Sequence, residues 1–466
     1  MAKMKTKYKT YYFLGVGGIG MSALARYFKK KGAKVAGYDR NRSELCAQLE
    51  AEGIEIHYED NTEKIPTYAH DVKNTLVVYT PAIPKEHGER KWLEEKGYKM
   101  MKRAEVLGLI TRNQKGLCVA GTHGKTTTTN MIANIMSRTR KGCSAFLGGI
   151  SNNFGTNLLI SDKSDKVVIE ADEFDRSFLN LRPWIAVITS ADADHLDIYG
   201  TEEEYRNAFS EFSSLVQTYG ALIVKRGVKV KIKQKKGVRV YSYGGAVGLV
   251  KNKPDFYAEY VRKTKQGEIV FNFVSPRGVI RRVPLGVPVL INVEDAVAAC
   301  AVAQLCGARD EEIRLGIGTF RGTHRRFERH GDFLIDDYAH HPEEIAATLD
   351  SVRYLYPKKK ICCVFQPHLY SRTRDLADGF GKALSKADDV LLLPIYPARE
   401  EPIEGVSSEM LLGKIEHDKK VVIEKNNLIK ELDNHDFDIL LTLGAGDIDL
   451  MIPELKTYLE ERNKKK

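Results

Sequence analysis

The chain has no run approaching the ~18 consecutive apolar residues of a membrane-spanning helix, so no membrane span is expected. It has no Cys-x-x-Cys pair and no cysteine spacing that suits a metal. Its seven cysteines, Cys46, Cys118, Cys143, Cys300, Cys306, Cys362 and Cys363, are an odd number, and read as reduced thiols packed as small hydrophobes. Behind the basic start MAKMKTKYKT, the stretch YYFLGVGGIGMSALA is full of glycine and lacks a small-residue cleavage site. It does not read as a signal peptide, and the expected location is cytoplasmic. No internal repeat is evident. A hydrophobic content of 43% against 29% charged residues excludes disordered and fibrous classes.

What is present is a modest basic excess, 72 Lys and Arg against 62 Asp and Glu, or +10. Such an excess suits anionic small molecules such as nucleotides and phosphosugars. The densest basic run, Lys225 to Lys236 (KRGVKVKIKQKK), alternates lysine with valine and isoleucine. It is expected to form an exposed, lysine-protected edge strand. Aromatic residues do not interleave it, so no nucleic-acid partner is expected.

At 466 residues the chain suggests about three domains, at roughly 150 residues each. Strand-like and helix-like segments alternate in three blocks, which argues for parallel sheets. The expectation is an α/β protein of three consecutive domains: a Rossmann-like one over 1–113, a central P-loop ATPase-like sheet over 114–322, and a C-terminal Rossmann-like one over 323–466.

Two loops carry the strongest chemistry. Gly15-Val16-Gly17-Gly18-Ile19-Gly20 matches G-x-G-x-x-G between a strand and a helix. Gly15 permits the tight turn, Gly17 close approach of a pyrophosphate, and Gly20 helix–strand packing. Asp39, nineteen residues past Gly20, is placed to accept from ribose hydroxyls. A nicotinamide cofactor and any other diphosphate-bearing nucleotide both fit this loop. Gly121-Thr122-His123-Gly124-Lys125-Thr126-Thr127 has the G-K-T core of a phosphate loop, with Val119 at the first glycine position of the general pattern. Lys125 would neutralise phosphate charge and the Thr126 hydroxyl would hold Mg²⁺.

Acidic clusters close two hydrophobic strands of the same block, Glu170-Ala171-Asp172-Glu173 and Asp192-Ala193-Asp194-His195-Leu196-Asp197. Beside a phosphate loop they point to a metal. At the second boundary, Thr323-His324-Arg325-Arg326-Phe327-Glu328 offers arginines for a transferring phosphoryl group, or a basic hinge. Asp336-Asp337-Tyr338-Ala339-His340-His341 and Gln366-Pro367-His368-Leu369-Tyr370-Ser371-Arg372-Thr373-Arg374 end two further strands. The arginines of the second are candidates for a carboxylate clamp. A diphosphate loop and an ATP loop in one chain suit an ATP-dependent ligase acting on a nucleotide-linked substrate.

Taken in order, GVGGIGMSALA, AGTHGKTTTT, EADEFDRSFLNL, ADHLDIYG, HRRFE, DDYAHHPEE, QPHLYSRTRDL and YPAREEPIEGVSS resemble the Mur ligase family, which builds the peptidoglycan stem peptide. The resemblance covers essentially the whole chain. It implies a cytoplasmic ligase of peptidoglycan and cell-wall synthesis, hence of cell shape, division and the cell cycle. That enzyme joins L-alanine to the lactyl carboxylate of UDP-N-acetylmuramate through an acyl phosphate, forming ADP and phosphate, as a monomer or weak homodimer. It also implies roles for single residues. Gly15, Gly17, Gly18, Ile19, Gly20, Asp39 and the Thr80 loop would hold the sugar nucleotide. Gly121, Thr122, His123, Gly124, Lys125, Thr126, Thr127 and Asn292 would bind ATP, with Arg326 and Asp337 contacting it from beyond the boundary. Thr126 and Glu170 would share a Mg²⁺ and His195 would serve a second metal. Tyr338, His340 and Arg372 would face the alanine, with His340 deprotonating its amine.

Three positions depart from the family's usual residues. Ile291 stands where a histidine often precedes the adenine asparagine, and Leu369 where an arginine often follows Gln-Pro-His. Phe209 and Ser210 occupy the region of the carbamylated lysine that other branches carry, which agrees with the alanine-adding branch.

Overall fold

The computed structural model describes residues 8–194, 196–246, 252–264, 268–398 and 400–464. The chain divides into two compact units, Met1–Glu259 with Phe273–Arg281 and Asp295–Ile317, and Tyr260–Asn272 with Arg282–Glu294 and Gly318–Lys466. Three sheets carry the fold, as the alternating pattern predicts. No helix of the described residues is long and apolar enough to cross a membrane.

The first sheet is built from β1 (Thr10–Leu14), α1 (Ile19–Lys30), β2 (Lys34–Tyr38), α2 (Glu44–Ala51), β3 (Glu55–His57), β4 (Thr75–Tyr79), α3 (Gly88–Glu95), β5 (Lys99–Lys102) and α4 (Arg103–Asn113). Its order is β3-β2-β1-β4-β5, and all four pairings are parallel. Every residue of β1 is buried, as a strand covered on both faces must be. The order reverses between β1 and β4, so the crevice opens at the end of β1, where the glycine turn sits.

The second sheet contains β6 (Lys115–Ala120), α5 (Lys125–Met136), β7 (Ser144–Ser151), β8 (Thr156–Leu159), β9 (Lys166–Glu170), β10 (Pro183–Ile188), α6 (Leu196–Tyr199), α7 (Glu202–Ser214), β11 (Ala221–Lys225), β12 (Arg239–Ala246), β13 (Phe256–Lys263), β14 (Ile269–Ser275) and β15 (Gly278–Leu285), followed by α8 (Ile291–Leu305) and α9 (Asp310–Gly318). Its order is β15-β14-β13-β12-β11-β10-β6-β9-β7-β8. β6 lies between β9 and β10 in parallel register, Val119 beside Glu170 and beside Val187. The motif's missing glycine is therefore a strand residue, fully buried.

The expected lysine-rich edge strand is not a strand. β11 pairs with β12 in parallel, so the chain must return to the starting end between them. Residues 226–238 make that return without joining the ladder. Val228, Val230 and Ile232 pack on the core, and the Lys233 N–H donates to Ser213 Oγ of α7 at 2.8 Å.

A polar seam ties the first two sheets. Asn157 of β8 donates to Ile19 O at 2.5 Å and to Ser22 Oγ at 3.0 Å, both on α1. Its Oδ1 accepts from Arg26 Nη1 at 2.9 Å. Tyr27 and Phe146 pack with ring centroids 5.3 Å apart.

The third sheet has β16 (Glu328–His330), β17 (Leu334–Asp337), α10 (Pro342–Leu355), β18 (Ile361–Phe365), α11 (Tyr370–Asp375), α12 (Ala377–Leu384), β19 (Asp389–Leu392), α13 (Ser408–Leu412), β20 (Lys420–Val422), α14 (Leu428–Leu432), β21 (Ile439–Leu443) and α15 (Ile452–Lys464). Its order is β16-β17-β21-β18-β19-β20. Only β16 is antiparallel to its neighbour. The ends of β17, β18 and β21 adjoin, which gathers their loops at one edge.

Candidate active site

The glycine turn follows β1 directly. Gly15 and Val16 donate to Tyr38 O at 2.8 and 3.0 Å, which holds the turn to the end of β2. Thr80 lies against it, since a Cβ on Gly15 would stand 2.7 Å from the Thr80 methyl. Gly18 is the N-cap of α1 and no side chain caps it, so the helix N-terminus is left uncapped by side chains, an arrangement that favours an anion. Asp39 accepts from the Gly17 N–H at 2.7 Å and the Asn41 N–H at 3.2 Å, so its carboxylate braces the turn. A Cβ at Gly17 would meet Cys46 Sγ at 2.4 Å and Asp39 Oδ2 at 2.9 Å. Glycine is required there by the chain's own side chains. At Gly20 the crowding group is the Arg103 guanidinium, 2.4 Å from a built Cβ. Arg103 in turn reaches Asp172 at 3.1 Å, and Lys102 reaches Asp175 at 2.8 Å. Sequence reading missed Arg103, because nothing local marks a helix-start arginine as a neighbour of a loop more than eighty residues earlier.

The phosphate loop joins β6 to α5. Gly124 is the N-cap of α5 at φ +78°, a left-handed conformation that favours glycine. Gly121 closes on β10: a Cβ there would stand 1.9 Å from Thr189 Oγ1. The loop is held by Thr122 Oγ1 donating to Asp192 O at 2.7 Å and by the His123 N–H donating to Ser190 Oγ at 2.8 Å. Thr127 is half-buried in the first turn of α5. Thr128 donates to Asp295 Oδ1 at 3.0 Å, placing a carboxylate of α8 beside the loop.

Lys125 Nζ donates to Gly121 O at 2.5 Å, Thr122 O at 3.1 Å and Glu173 Oε1 at 2.8 Å. Burial alone would push its ammonium down, but Glu173 and Glu170 outweigh burial and hold it above its ordinary value. Burial pushes the Glu173 carboxyl up to about 7 even against the Lys125 ammonium. Glu173 Oε2 is buried with no hydrogen-bond partner, which leaves the carboxylate under-stabilised and agrees with the upward direction of its shift. Thr126 Oγ1 donates to Glu170 Oε1 at 3.0 Å. A Cβ at Gly148 would stand 2.1 Å from Glu170 Oε2, so glycine leaves this carboxylate its space. A hydroxyl in the first turn of α5 and a carboxylate at the end of β9 are the hard oxygen donors that Mg²⁺ takes. His195 lies outside the described residues.

Asn292, in the first turn of α8, is buried and donates to Val287 O at 3.2 Å. Ile291 before it is 46% exposed.

The third sheet gathers a second cluster. Arg325, not Arg326, is the buried arginine of its motif. It bonds Asp336 at 3.2 Å, Gly446 O at 2.9 Å and Gly444 O at 2.6 Å. Arg326 lies 5.2 Å from the Tyr338 ring centroid and 3.7 Å from Glu344. Asp337 accepts from Ala339 N, Phe327 N and Thr348 Oγ1 at 2.9, 3.2 and 3.1 Å, so it organises the loop that carries Tyr338 and His340. Burial pushes its carboxyl up to about 6 although Arg326 lowers it.

His340 Nδ1 lies 2.9 Å from Tyr338 O. A carbonyl only accepts, so Nδ1 carries the proton and Nε2 keeps its lone pair. Burial first, then Arg372 and Arg326, hold the imidazole below its ordinary value, against Glu344, which raises it. Its ring meets His368 edge-on at 6.3 Å, and His368 stacks on Tyr396 at 5.8 Å. Leu369 adopts φ +70° while its N–H donates to Tyr396 O at 3.0 Å. Arg372, on α11, is half-buried near His340. Arg374 is exposed and turned to Asp375 at 2.7 Å. Arg326, Tyr338, His340 and Arg372 are thus brought together. Sequence reading left out Glu344, which lies between Arg326 and His340, and gave Glu173 only to a metal cluster.

Family models cover nearly all of this architecture. The Mur ligase family catalytic domain matches residues 10–115, the Mur ligase middle domain 119–303, and the glutamate ligase domain of the same family 325–446. A UDP-N-acetylmuramate–L-alanine ligase of Phocaeicola vulgatus is 50% identical over 97% of this chain and 99% of its own length. One of Flavobacterium johnsoniae is 44% identical over 97% and 98%. Among solved structures, the UDP-N-acetylmuramate-alanine ligase of Thermotoga maritima superposes with a TM-score of 0.76 at 27% identity, covering 98% of this chain and all of that one. A murein peptide ligase of Psychrobacter arcticus shares the fold at 21% identity, TM-score 0.69, over 97% and 98%. Agreement along the whole length, in sequence and in fold, means that this chain belongs to the Mur ligase family.

Proposed function

We propose that the chain is an ATP-dependent, ADP-forming ligase that joins L-alanine to the lactyl carboxylate of UDP-N-acetylmuramate in peptidoglycan precursor synthesis. The observation that carries this reading is 50% identity, over 97% of the chain, to a ligase named for that reaction. The boundaries 1–113, 114–322 and 323–466 delimit the proposed sugar-nucleotide, ATP and amino-acid domains. The proposed setting is the cytoplasm, as a monomer or weak homodimer.

A carboxylate and an amine do not condense favourably in water, so the carboxylate needs a leaving group. In the first step the lactyl carboxylate attacks the γ-phosphorus of ATP, giving an acyl phosphate and ADP. In the second the alanine amine attacks the acyl carbon, and the tetrahedral intermediate collapses to amide and phosphate. The glycine turn and the N-terminus of α1 hold the diphosphate, with Asp39 and Thr80 beside it. Lys125 leaves Glu173 and pairs with the transferring phosphoryl, where its charge offsets the repulsion of two anions. Thr126 and Glu170 would hold a Mg²⁺ that supplies further neutralisation of phosphate charge, and His195 is assigned to a second metal. Asn292, Arg326 and Asp337 are assigned to ATP. Tyr338, His340 and Arg372 are assigned to alanine, Arg372 to its carboxylate. His340 Nε2 accepts the ammonium proton, and the depressed imidazole is already neutral at pH 7.

ADP release measured with UDP-N-acetylmuramate and L-alanine, L-serine, glycine or a tripeptide in turn tests the proposal. L-Alanine is expected to give the highest turnover. Turnover with the tripeptide alone would replace the reading with a peptide-recycling ligase.

A further inference from the structure

The return segment between β11 and β12 has a surface that the ligase reaction does not use. Seven of the twelve residues from Lys225 to Lys236 are Lys or Arg and none is Asp or Glu. Because Val228, Val230 and Ile232 face the core, Lys229, Lys231, Lys233 and Lys235 all face solvent. The four exposed ammoniums therefore alternate with the core-facing side chains and form one row along the outside of the segment, which a Val230 N–H bond to Val228 O at 3.0 Å bends at Lys229. The Lys233 N–H bond to α7 pins the segment midway.

A second, independent feature lies at the end of the row. Tyr219 is 80% exposed and holds φ +64°, a backbone region that disfavours aromatic residues. Its ring lies beside the segment, 3.7 Å from a Cβ built at Gly237. Exposure and strain both disfavour Tyr219 in the isolated protein, and together they point to something that uses the ring.

We propose that this row, with Tyr219, docks the protein on a membrane surface of anionic phospholipid. The row is lysine throughout, and compact, strongly hydrated ammoniums suit a diffuse field of headgroups. Arginine forks would suit individually oriented phosphates. An amphipathic aromatic ring beside a lysine row is the arrangement of membrane–water interfaces. Single-stranded nucleic acid calls for aromatic rings along its track, and here one ring stands at one end.

The full-length protein is sedimented with vesicles of phosphatidylglycerol and phosphatidylcholine in equal parts, with pure phosphatidylcholine vesicles, and mixed with poly(U) RNA. Binding to the anionic vesicles alone is expected, and it should vanish near ~1 M salt, where screening falls to ~3 Å. The variant K229Q/K231Q/K233Q/K235Q should bind roughly 10²- to 10³-fold more weakly, with ligase turnover on soluble substrates unchanged. Tyr219→Ser should weaken binding while leaving its salt dependence in place. If the fourfold variant fails to fold, the pairs K229Q/K231Q and K233Q/K235Q carry the same test with smaller losses. Equal binding to both vesicle types, no binding to either, undiminished binding by the lysine variants, or preference for poly(U) would each overturn the proposal.

Discussion

Replacing Lys125 with alanine separates chemistry from electrostatics. The Lys125 and Glu173 side chains are only 15% and 3% exposed, and their charges lie 2.8 Å apart. Removing one member of a buried pair costs about 3–5 kcal/mol when the other stays charged. Glu173 limits that loss by taking a proton. Burial already holds its carboxyl at about 7 with the ammonium beside it, and without the ammonium it titrates higher. The folded variant then keeps a proton that the unfolded chain releases, so stability falls as pH rises, by about 1.4 kcal/mol per pH unit. In the unaltered protein this slope ends near pH 7, whereas in Lys125→Ala it continues above. Between about pH 6 and 8 the variant should therefore lose ~2–3 kcal/mol relative to Lys125→Ala/Glu173→Gln, in which nothing titrates at this place. Denaturant midpoints for both variants across that range make the comparison. Turnover should drop ~10³-fold in both, since each lacks the cation proposed to pair with the phosphoryl. Parallel stability profiles would refute the assignment of Glu173 as the buried group titrating beneath Lys125. Near-normal ADP formation would place ATP elsewhere.

Glu170→Gln keeps size and removes charge, so the Mg²⁺ concentration for half-maximal rate should rise at least ~10-fold with the melting profile unchanged; an unchanged requirement would make Glu170 structural. Arg372→Ala should raise KM for L-alanine about 10- to 150-fold, the worth of one charge-assisted hydrogen bond, and leave KM for ATP nearly untouched in steady-state kinetics. Arg325→Met removes the guanidinium that joins Asp336 to Gly444 O and Gly446 O, and denaturation should register a loss of about 3–5 kcal/mol. Calorimetry should show UDP-N-acetylmuramate binding and no NAD binding, and Gly17→Ala, whose Cβ meets Cys46 and Asp39, should weaken the former.

Much of the fold was legible because it is written locally. The buried strands YYFLGV, GLCVAG and KICCVF and the glycine turns carry their own periodicity and punctuation. The lysine-rich run was misread because its alternation is real but its ladder is absent. A period of two follows from one apolar face, and the packing of Val228, Val230 and Ile232 on the core supplies that without a partner strand. In the candidate site, the G-K-T core and the acidic end of β9 were readable locally, and the pairing of Thr126 with Glu170 was implied by the family resemblance. Glu173 was readable as acidic and not as the partner of Lys125, because which of several neighbouring carboxylates turns inward depends on backbone direction after β9. Arg103 was missed because its contact with Asp172 exists only once the sheets are assembled, and Glu344 because its contact with Arg326 does, although its bond from the His340 N–H is local.

The polar seam between α1 and β8 makes the separation of the glycine turn from the phosphate loop a property of one body. Asn157 bonds the backbone at the start of α1 and the Arg26 guanidinium two turns along it, and sliding α1 along β8 would break these buried bonds together. With the two loops holding the groups proposed for them, a molecule built to occupy both at once, a uridine diphosphate group linked to an adenine nucleotide, would meet a fixed span. Its affinity should peak at one linker length and fall on either side, so that the chain serves as a ruler for its own inhibitors.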